Sequence, residues 1–549
     1  MIDDVLLACV AAHDDLLAAR SVDVWIGAEP TFTRADSLEP AWTHAAEGDD
    51  KRERAEVLAR AFADAVAGTT AAVRGRQYPD EEAPRFAFGV RWDGGELGDA
   101  PPEDVAPDRW LTVTPDPGVV EVNMAPSGST LAFAEQCDRV WAAARAAGLA
   151  PVRFRFNGDA ADSGGGGQLT LGGATPAASP FVRYPHVLPT LVRYVNNHPS
   201  LSYWFANECA GSASQGPRPD EGARERYDEL GVGLAHLERL ADRGELPPAT
   251  LWEALAPLLV DAAGNSHRAE LNIEKLWNPH LAAHGTRHGR MGLVELRSIR
   301  MPERPSMLVA LAVLVRAIVA RLVVADYREP LVDWHDDLHD RFALPAALAR
   351  DLRVVLGDLD AHGVGVPGPL RAELDAWRAP GITCRLGDAT LVLRPALEFW
   401  PLVGDVASQE RAGARLVDAS TQRWELSLDG AGPDRIAVAG RWAHLRALGD
   451  GTRALGVRRR IYAPSAGFHP GLPPLDPLVI DWAWGGRAQR ISLHAWKPSG
   501  GAYPGLPADA TDALLRRQER VSILTRPDDG AALASGHWRE PRPFTLDLR

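Results

Sequence analysis

The stretch PGVVEVNM, Pro117–Met124, carries the pattern that decides the fold. If it is extended, alternate side chains point to opposite faces, so Glu121 and Asn123 share one face, opposite the valines between them. In an antiparallel sheet with one face covered by helices, such alternation places apolar side chains inward and polar side chains outward. For any one strand, a solvated polar face is the simplest interpretation.

Three other segments repeat this alternation. GLVELRSI pairs Glu295 with Arg297, and DVWIGAEP pairs Asp23 with Glu29. In HRAELNIEKLW, residues 267–277, the polar row of an extended chain consists of Arg268, Glu270, Asn272 and Glu274. The apolar residues of this last segment also fit a helical stripe, so periodicity alone leaves strand and helix open. The neighbouring Gly264-Asn265 turn and the companion strands favour a strand.

Carboxylates are unusual at strand centres, because Asp and Asn are depleted in strands and Glu is depleted to a lesser degree. An acidic sheet face repels itself unless cations neutralise it, and carboxylate oxygens suit Mg²⁺ or Mn²⁺. The arginines of the same rows suit phosphate oxygens, which a guanidinium can bind through two parallel hydrogen bonds. Together these residues are the set that phosphoryl transfer requires.

The composition excludes some classes of function. The chain has 549 residues, which predicts two or three domains, and a formal net charge of −14, which argues against binding of nucleic acid. Its basic residues are nearly all arginine, which we attribute first to genomic composition bias. Four scattered cysteines match no metal-ligand spacing, and the acidic N-terminus does not resemble a signal peptide. We therefore expect a cytoplasmic protein.

The longest apolar stretch, residues 306–325, contains Arg316 and Arg321. At that length and with two arginines, a buried helix packed on a sheet is favoured over a membrane span. From about Gly381 the segments become short, rich in β-formers and separated by Gly, Pro and Asp, which predicts an all-β sandwich or barrel. We place the domains at 1–390 and 391–549.

The glycine run SGGGGQLTLGG, residues 163–173, does not match a known phosphate-binding loop. It lacks the Lys-Ser/Thr pair of a Walker A loop and leads into a strand where such a loop leads into a helix. Two interpretations stay open: a flexible lid, or a turn that permits close approach of a ligand.

Taken in order, GAEPTF, TPDPGVVEVN, the glycine run, HPSLSYWF, GNSHRAELNIEKLW, GLVELRSIRMP and LHDRFALP resemble a bacterial family of amidoligases. The resemblance runs over nearly the whole chain. These proteins belong to the carboxylate–amine ligases with a glutamine synthetase-like fold and are often fused to transglutaminase-like domains. The resemblance implies an α+β fold in which helices back a curved antiparallel sheet, followed here by the C-terminal all-β domain.

The resemblance also implies roles for individual residues. Metal ligands would be Glu29, with Asp23 as a weaker alternative, Glu121 and Glu295, to which we add Glu270 from its strand row. Arg297 and Arg268 would hold the transferred phosphate and act in catalysis. Further contacts to the nucleotide would come from Asn265, Asn123 and Gln168. Relatives carry a GGGNH-type sequence in the glycine run, and Gln168 stands in this chain where they have a metal-binding His.

The function implied is an amide bond-forming ligase that uses ATP and Mg²⁺ or Mn²⁺. ATP would convert a carboxylate of an amino acid, peptide or protein into an acyl phosphate, which an amine then attacks. Nucleic acid and membrane are not expected partners, and a homo-oligomer stays open. The alternatives are a phosphotransferase of the same fold and a non-catalytic peptide- or protein-binding scaffold derived from it.

Overall fold

The computed structural model places the strands of the first part of the chain mainly in one antiparallel sheet. It describes residues 1–34, 49–67, 73–76, 87–91, 110–116, 119–162, 166–207, 210–279, 287–405, 415–430, 432, 435–463, 467–528, 530, 533–538 and 542–549. In chain order the strands of this part are β1 Trp25–Glu29, β2 Thr31–Thr33, β3 Val73–Arg76, β4 Ala87–Arg91, β5 Trp110–Asp116, β6 Val119–Ser127, β7 Val152–Phe154, β8 Ala160–Asp162, β9 Gln168–Gly172, β10 Leu271–Asn272 and β11 Val294–Leu296.

The main sheet has the order β10-β11-β9-β1-β6-β5-β4-β3, with β2 also paired to β6, while β7 and β8 form a separate hairpin. The helices of this part are Asp4–Ala19, Asp49–Ala67, Thr130–Ala146, Pro180–Arg183, Val187–Asn197, Ser200–Tyr203, Arg224–Asp242, Pro248–Leu255, Glu274–Trp277, Pro305–Val324, Pro345–Ala361 and Gly368–Asp375. This mixture of helices and antiparallel sheet confirms the predicted α+β class.

One face of the main sheet is apolar and buried, as the alternation predicts. Its fully buried side chains are Ile26, Ala28, Val120, Val122, Leu169, Leu171, Val294 and Leu296. They share one core with the helices Thr130–Ala146 and Pro305–Val324. Burial of this face is the main driving force for the layered arrangement, because each buried aliphatic side chain contributes about 1.5–3 kcal/mol.

The helix Pro305–Val324 is apolar and long enough to cross a membrane by length and composition, but 89% of its most apolar window is buried inside the protein. Its two arginines have partners there. The Nε of Arg316 donates to the carbonyl of Val24 at 2.7 Å, and the Nε of Arg321 donates to Asp358 at 2.8 Å. A buried core helix, as predicted, explains the sequence of this segment.

The region from Ile382 onward consists mainly of strands. They are β12 Ile382–Leu386, β13 Ala389–Pro395, β14 Leu402–Asp405, β15 Arg415–Val417, β16 Thr421–Asp429, β17 Arg435–Val438, β18 Arg441–Trp442, β19 Arg446–Ala447, β20 Thr452–Arg460, β21 Leu478–Trp484, β22 Arg487–Leu493, β23 Val521–Pro527 and β24 Thr545–Asp547. A six-stranded and a five-stranded sheet contribute to one shared core. The helix Ala510–Glu519 interrupts the β pattern, and β12 begins ahead of the predicted boundary at residue 390.

The segment HRAELNIEKLW corrects our prediction of a continuous strand. It forms a 3₁₀ turn at Ser266–Arg268, the two-residue strand β10, and the helix Glu274–Trp277. Asn272 ends the extended part because its side-chain oxygen accepts a hydrogen bond from the backbone N–H of Glu274 at 2.8 Å, which caps the turn that follows. The predicted four-residue row is therefore broken on both sides of β10.

Candidate active site

Pairing across the sheet gathers polar side chains on the face opposite the core. Glu29 of β1 pairs directly with Gln168 of β9, and Glu295 of β11 pairs with Thr170 of β9 and with Asn272 of β10. Directly paired residues share a face, so these side chains form one row across four strands. We call Glu29, Gln168, Glu295 and Arg297 the acidic row; Arg297 shares the face because it lies two residues beyond Glu295.

Glu121 and Asn123 extend this polar face onto β6. Ala28 pairs with Met124, so the odd-numbered residues of β6 lie on the same face as Glu29. The side-chain N–H of Asn123 donates to Glu121 at 2.9 Å, and both residues are half-buried. The structure thus brings together Glu29, Glu121 and Glu295, the three carboxylates that the resemblance assigns to metal, on one side of the sheet.

A lysine that the sequence analysis did not single out lies between two of these carboxylates. The Nζ of Lys275 is 3.2 Å from Glu29 Oε1 and 3.5 Å from Glu295 Oε2. The charge of Glu29, followed by that of Glu295, raises the pKa of Lys275 above its usual value although burial opposes this. Lys275 therefore carries a full positive charge and neutralises part of the acidic row.

Arg297 binds the other oxygen of Glu295, with Nη1 2.5 Å from Oε1. Both side chains are buried, and the Nε of Arg297 has no hydrogen-bond partner among the described residues. A buried N–H without a partner costs about 1–3 kcal/mol, so this group has unused binding capacity toward a ligand. Arg297 is thus anchored at one end and has a free donor near the row.

Gln168 also has an unused polar atom in the row. The residue is 8% exposed, and its Oε1 has no hydrogen-bond partner among the described residues. An amide oxygen is an acceptor, which a hard cation or a donor from a ligand would satisfy. This unpartnered acceptor belongs to the residue that pairs directly with Glu29.

The described glycines of the glycine run permit close backbone packing. A Cβ at Gly166 would lie 2.6 Å from the carbonyl oxygen of Ile299, and one at Gly167 would lie 2.8 Å from that of Arg300. Any residue with a Cβ atom at either position would collide with this backbone. These two glycines thus let the chain pass against 299–300 immediately before Gln168 enters the row; residues 163–165 lie outside the described residues.

Glu270 lies in a different environment from the acidic row. Its carboxylate accepts a hydrogen bond from Ser202 and is 3.8 Å from Nη1 of Arg218, which is fully buried. Arg218 in turn holds Asp220 through two hydrogen bonds of 2.9 Å. We call Ser202, Arg218, Asp220 and Glu270 the buried ion network. Glu270 thus has its contacts in this network and not in the acidic row, and its role as a metal ligand stays a prediction.

The remaining predicted residues lie beside the row. Asp23 is exposed and lies ahead of β1, between the buried Val22 and Val24, so it points away from the core outside the strand. Asn265 caps the 3₁₀ turn by accepting from the N–H of His267 at 2.9 Å, and Arg268 ends that turn half-buried. Glu274 connects the turn to the row, because it accepts from Ser266 at 2.6 Å and lies 3.4 Å from the side-chain nitrogen of Asn272.

Two sequence signals could have found Lys275. In a continuous strand it would face the core, where a lysine is unfavourable, so its presence argues against the extended interpretation. It is also one of only three lysines, with Lys51 and Lys497, among 59 basic residues. Composition bias has produced arginine nearly everywhere else in this chain.

The acidic row and the neighbouring Glu121 offer oxygen donors of the kind that a divalent cation binds. Oxygen donors from Glu29, Glu121, Glu295 and the unpartnered amide of Gln168 suit a hard ion such as Mg²⁺. In the described part of the chain, however, no three His, Cys, Asp or Glu side chains are close enough together to hold an ion as they stand. The donor chemistry fits the cation, and in the present arrangement Lys275 and Arg297 contact the oxygens of Glu29 and Glu295.

Comparisons with known proteins define the class. The model of a family described as "Putative amidoligase enzyme (DUF2126)" matches residues 4–97 and 95–549. The class is that of carbon–nitrogen ligases, enzymes that join a carboxylate to an amine. Since the match spans nearly the whole chain, the protein belongs to this amidoligase family, as the sequence motifs indicated.

Two solved structures show more distant similarity. One is titled "GmaS/ADP complex-Conformation 1"; it is 15% identical, with 68% of this chain and 71% of that chain covered and a TM-score of 0.32. The other, "Apo GmaS without ligand", is 14% identical, with 68% and 73% covered and a TM-score of 0.29. A search of curated proteins finds no significant match.

The buried carboxyl of Glu270 leads to a prediction about pH. Burial is the largest influence and raises the pKa of Glu270 from 4.5 to about 7, although Arg218 and Ser202 oppose it. The folded protein therefore binds this proton more tightly than the unfolded chain. The stabilisation is complete below pH 4.5 and is lost as pH rises through about 7.

Glu270→Gln should remove this pH dependence, because its amide stays neutral. Between about pH 5 and pH 7 the free energy of unfolding of the variant should rise relative to wild type by up to about 3 kcal/mol. Urea unfolding across this range measures the difference. Glu225→Gln, at an exposed position, serves as the control. Parallel pH profiles for wild type and Glu270→Gln would contradict the assignment.

Proposed function

We propose that this amidoligase is an ATP- and Mg²⁺-dependent carboxylate–amine ligase that acts through an acyl phosphate on an amino acid or peptide, and that it has the glutamine synthetase-like fold. The observation that carries the proposal is the acidic row, in which two carboxylates, an amide oxygen and a guanidinium share one face of the sheet. Membership of the amidoligase family indicates that the bond formed is an amide. The side chains of the row are of the types that bind metal ions and phosphate.

Glu29, Glu121 and Glu295 would hold the cation, with Gln168 contributing its unpartnered oxygen. When bound, Mg²⁺ neutralises charge on the phosphates and orients them. Gln168 offers an oxygen where the family has an imidazole nitrogen, which suits Mg²⁺ and disfavours softer ions. The substitution therefore alters this ligand position and keeps it available to a hard cation.

Arg297 is placed to act on the transferred phosphate. Its contact with Glu295 fixes the guanidinium, and its partnerless Nε lies in the buried part of the row. A fixed, desolvated guanidinium stabilises charge that develops on phosphate oxygens without having to reorganise. Arg268, half-buried at the end of the neighbouring 3₁₀ turn, is the second candidate for phosphate.

The reaction would then proceed in two transfers. An oxygen of the substrate carboxylate attacks the terminal phosphorus of ATP, and the bond to ADP breaks, which leaves an acyl phosphate. The nitrogen of the amine attacks the acyl carbon, inorganic phosphate leaves, and the nitrogen loses a proton to give the amide. Exclusion of water protects the acyl phosphate, and the buried position of Glu295 and Arg297 favours this.

Calorimetric titration with ATP in the presence of Mg²⁺ tests the proposal. We expect wild type to bind the nucleotide, and Glu295→Ala to lose binding by at least about tenfold, because one carboxylate of the row is removed and Arg297 is released. Glu303→Ala, at an exposed position shortly after the strand, should bind as wild type does. Absence of nucleotide binding by wild type would contradict the proposal.

Product analysis separates a ligase from a phosphotransferase of the same fold. The protein would be incubated with ATP, Mg²⁺ and mixtures of amino acids and amines. A ligase releases free phosphate in proportion to the amide formed, whereas a phosphotransferase leaves a stable phosphorylated product. Formation of such a product without amide would replace the proposed function by the second one.

A further inference from the structure

Lys275 occupies the place that a divalent cation would need. Its ammonium contacts Oε1 of Glu29 and Oε2 of Glu295, while Arg297 takes the remaining oxygen of Glu295. Mg²⁺ binds oxygen ligands at about 2.0–2.1 Å, much closer than these contacts. A cation bound to these same two oxygens would lie next to the ammonium, and the repulsion between the two positive charges favours displacement of Lys275.

Among Glu29, Glu295, Lys275 and Arg297 the charges are already balanced without a metal ion. Glu29 and Glu295 contribute two negative charges, and Lys275 and Arg297 contribute two positive charges. A balanced cluster attracts a divalent cation weakly, whereas loss of the ammonium restores a negative site. The lysine therefore competes with the cation for the carboxylates.

The attachment of Lys275 permits such a movement. Its backbone is held in the short helix Glu274–Trp277, where its carbonyl accepts from Met291 at 3.0 Å and the next residue, Leu276, is fully buried. Its side chain as a whole is 41% exposed, so part of the side chain borders solvent. The anchor stays in place while the four-carbon stem can change rotamer.

The presence of a lysine at this position fits the same role. Arginine accounts for all but three of the 59 basic residues, yet position 275 carries lysine. A guanidinium binds carboxylates through a rigid, planar fork, whereas an ammonium is a compact point charge on a flexible stem. An ammonium can therefore move from one anionic partner to another more easily than a guanidinium can.

We propose that Lys275 is a displaceable counter-ion: a divalent cation takes its place between Glu29 and Glu295, and its ammonium then binds a phosphate oxygen of the nucleotide. The proposal rests on the proposed function for its second half only. Cation and nucleotide favour each other's binding. The cation neutralises the carboxylates that the ammonium leaves, and a phosphate oxygen of the nucleotide binds the ammonium that has left them. The row thus assembles around the nucleotide and the cation together.

Binding of Mn²⁺ in the absence of nucleotide tests the first half, with the electron paramagnetic resonance signal of free Mn²⁺ as readout. Lys275→Met should bind Mn²⁺ about tenfold more tightly than wild type, because the competing charge is gone. Adding Glu29→Gln to this variant should remove the gain. Lys497→Met, at the partly buried lysine of the C-terminal region, should equal wild type. Lys275→Gln replaces the methionine variant if that variant fails to fold.

Binding of a fluorescent ATP analogue at saturating Mg²⁺ tests the second half. Lys275→Met should bind it about tenfold more weakly than wild type, since one charge-assisted contact to phosphate is lost. Unchanged or weaker Mn²⁺ affinity of Lys275→Met without nucleotide would overturn the displacement. Unchanged affinity for the analogue would overturn the contact to phosphate. Failure of wild type to bind the analogue would instead overturn the proposed function, and the Mn²⁺ comparison would still decide whether Lys275 competes with cations.

Discussion

Arg297→Met is expected to lower the rate of amide formation by about a thousandfold, the smaller end of the effects seen when an arginine that stabilises a transferring phosphate is removed. Two properties of Arg297 support so large a loss. Its guanidinium is buried, where electrostatic interactions are strong, and its contact with Glu295 fixes its position. Its partnerless Nε leaves one donor available to the ligand.

The measurement is release of phosphate coupled to amide formation, at saturating ATP. Arg297→Lys should recover only part of the rate, because an ammonium lacks the planar fork. Arg304→Met is the matched control: Arg304 lies outside the row, half-exposed, and pairs with Glu373. Wild-type turnover in Arg297→Met would exclude Arg297 from the chemistry, whereas a loss confined to the apparent affinity for ATP would restrict it to ground-state binding.

Arg218→Met is expected to lower the free energy of unfolding by about 3–5 kcal/mol, since it leaves buried carboxylates without a counter-charge. Arg218 is fully buried, donates twice to Asp220 and once to Ser202 at 2.9 Å, and also donates to the carbonyl of Asn196 at 2.7 Å. It therefore connects the segment 217–221 to the end of the helix Val187–Asn197 and to Glu270.

Urea unfolding followed by fluorescence measures this effect, and two comparisons make it specific. Arg224→Met removes two ion pairs of a half-exposed arginine, with Asp228 and Asp333, and should cost about 1 kcal/mol or less. Asp220→Asn in the background of Arg218→Met should recover part of the loss, because it removes one of the unpaired charges. A loss below about 1 kcal/mol for Arg218→Met would show that the network is not desolvated as the structure indicates.

The alternating pattern of the strands was sufficient to predict the main layers of the fold. Val120 and Val122 face the core and Glu121 and Asn123 face away from it, as period-two alternation requires. The long apolar segment with Arg316 was correctly predicted to be a buried helix. A buried guanidinium is tolerated when it has partners inside the protein, and Arg316 has the carbonyl of Val24 and the carboxylate of Asp14.

The pattern was misleading where a few residues change conformation locally. HRAELNIEKLW satisfies both the strand and the helix periodicities, and the chain turns where Asn272 accepts from the N–H of Glu274. Lys275 follows this turn and contacts the acidic row, whereas a continuous strand would direct it to the core. All the predicted roles toward metal, phosphate and nucleotide stay predictions: those of Glu29, Glu121, Glu270, Glu295, Arg297, Arg268, Asn265, Asn123 and Gln168.

The environments of Glu270 and Lys275 show which properties local sequence determines and which depend on contacts between distant segments. Alternation along one strand determines which face a side chain occupies, and so it placed Glu29, Glu121 and Glu295 on the polar side of the sheet. The charge partners of those side chains come from far along the chain: Lys275 reaches Glu29 across 246 positions, and Arg218 reaches Glu270 from a separate segment. Electrostatic interaction depends on distance in space, so no local pattern could show that Glu270 is buried in an ion network while Glu29 and Glu295 share a lysine.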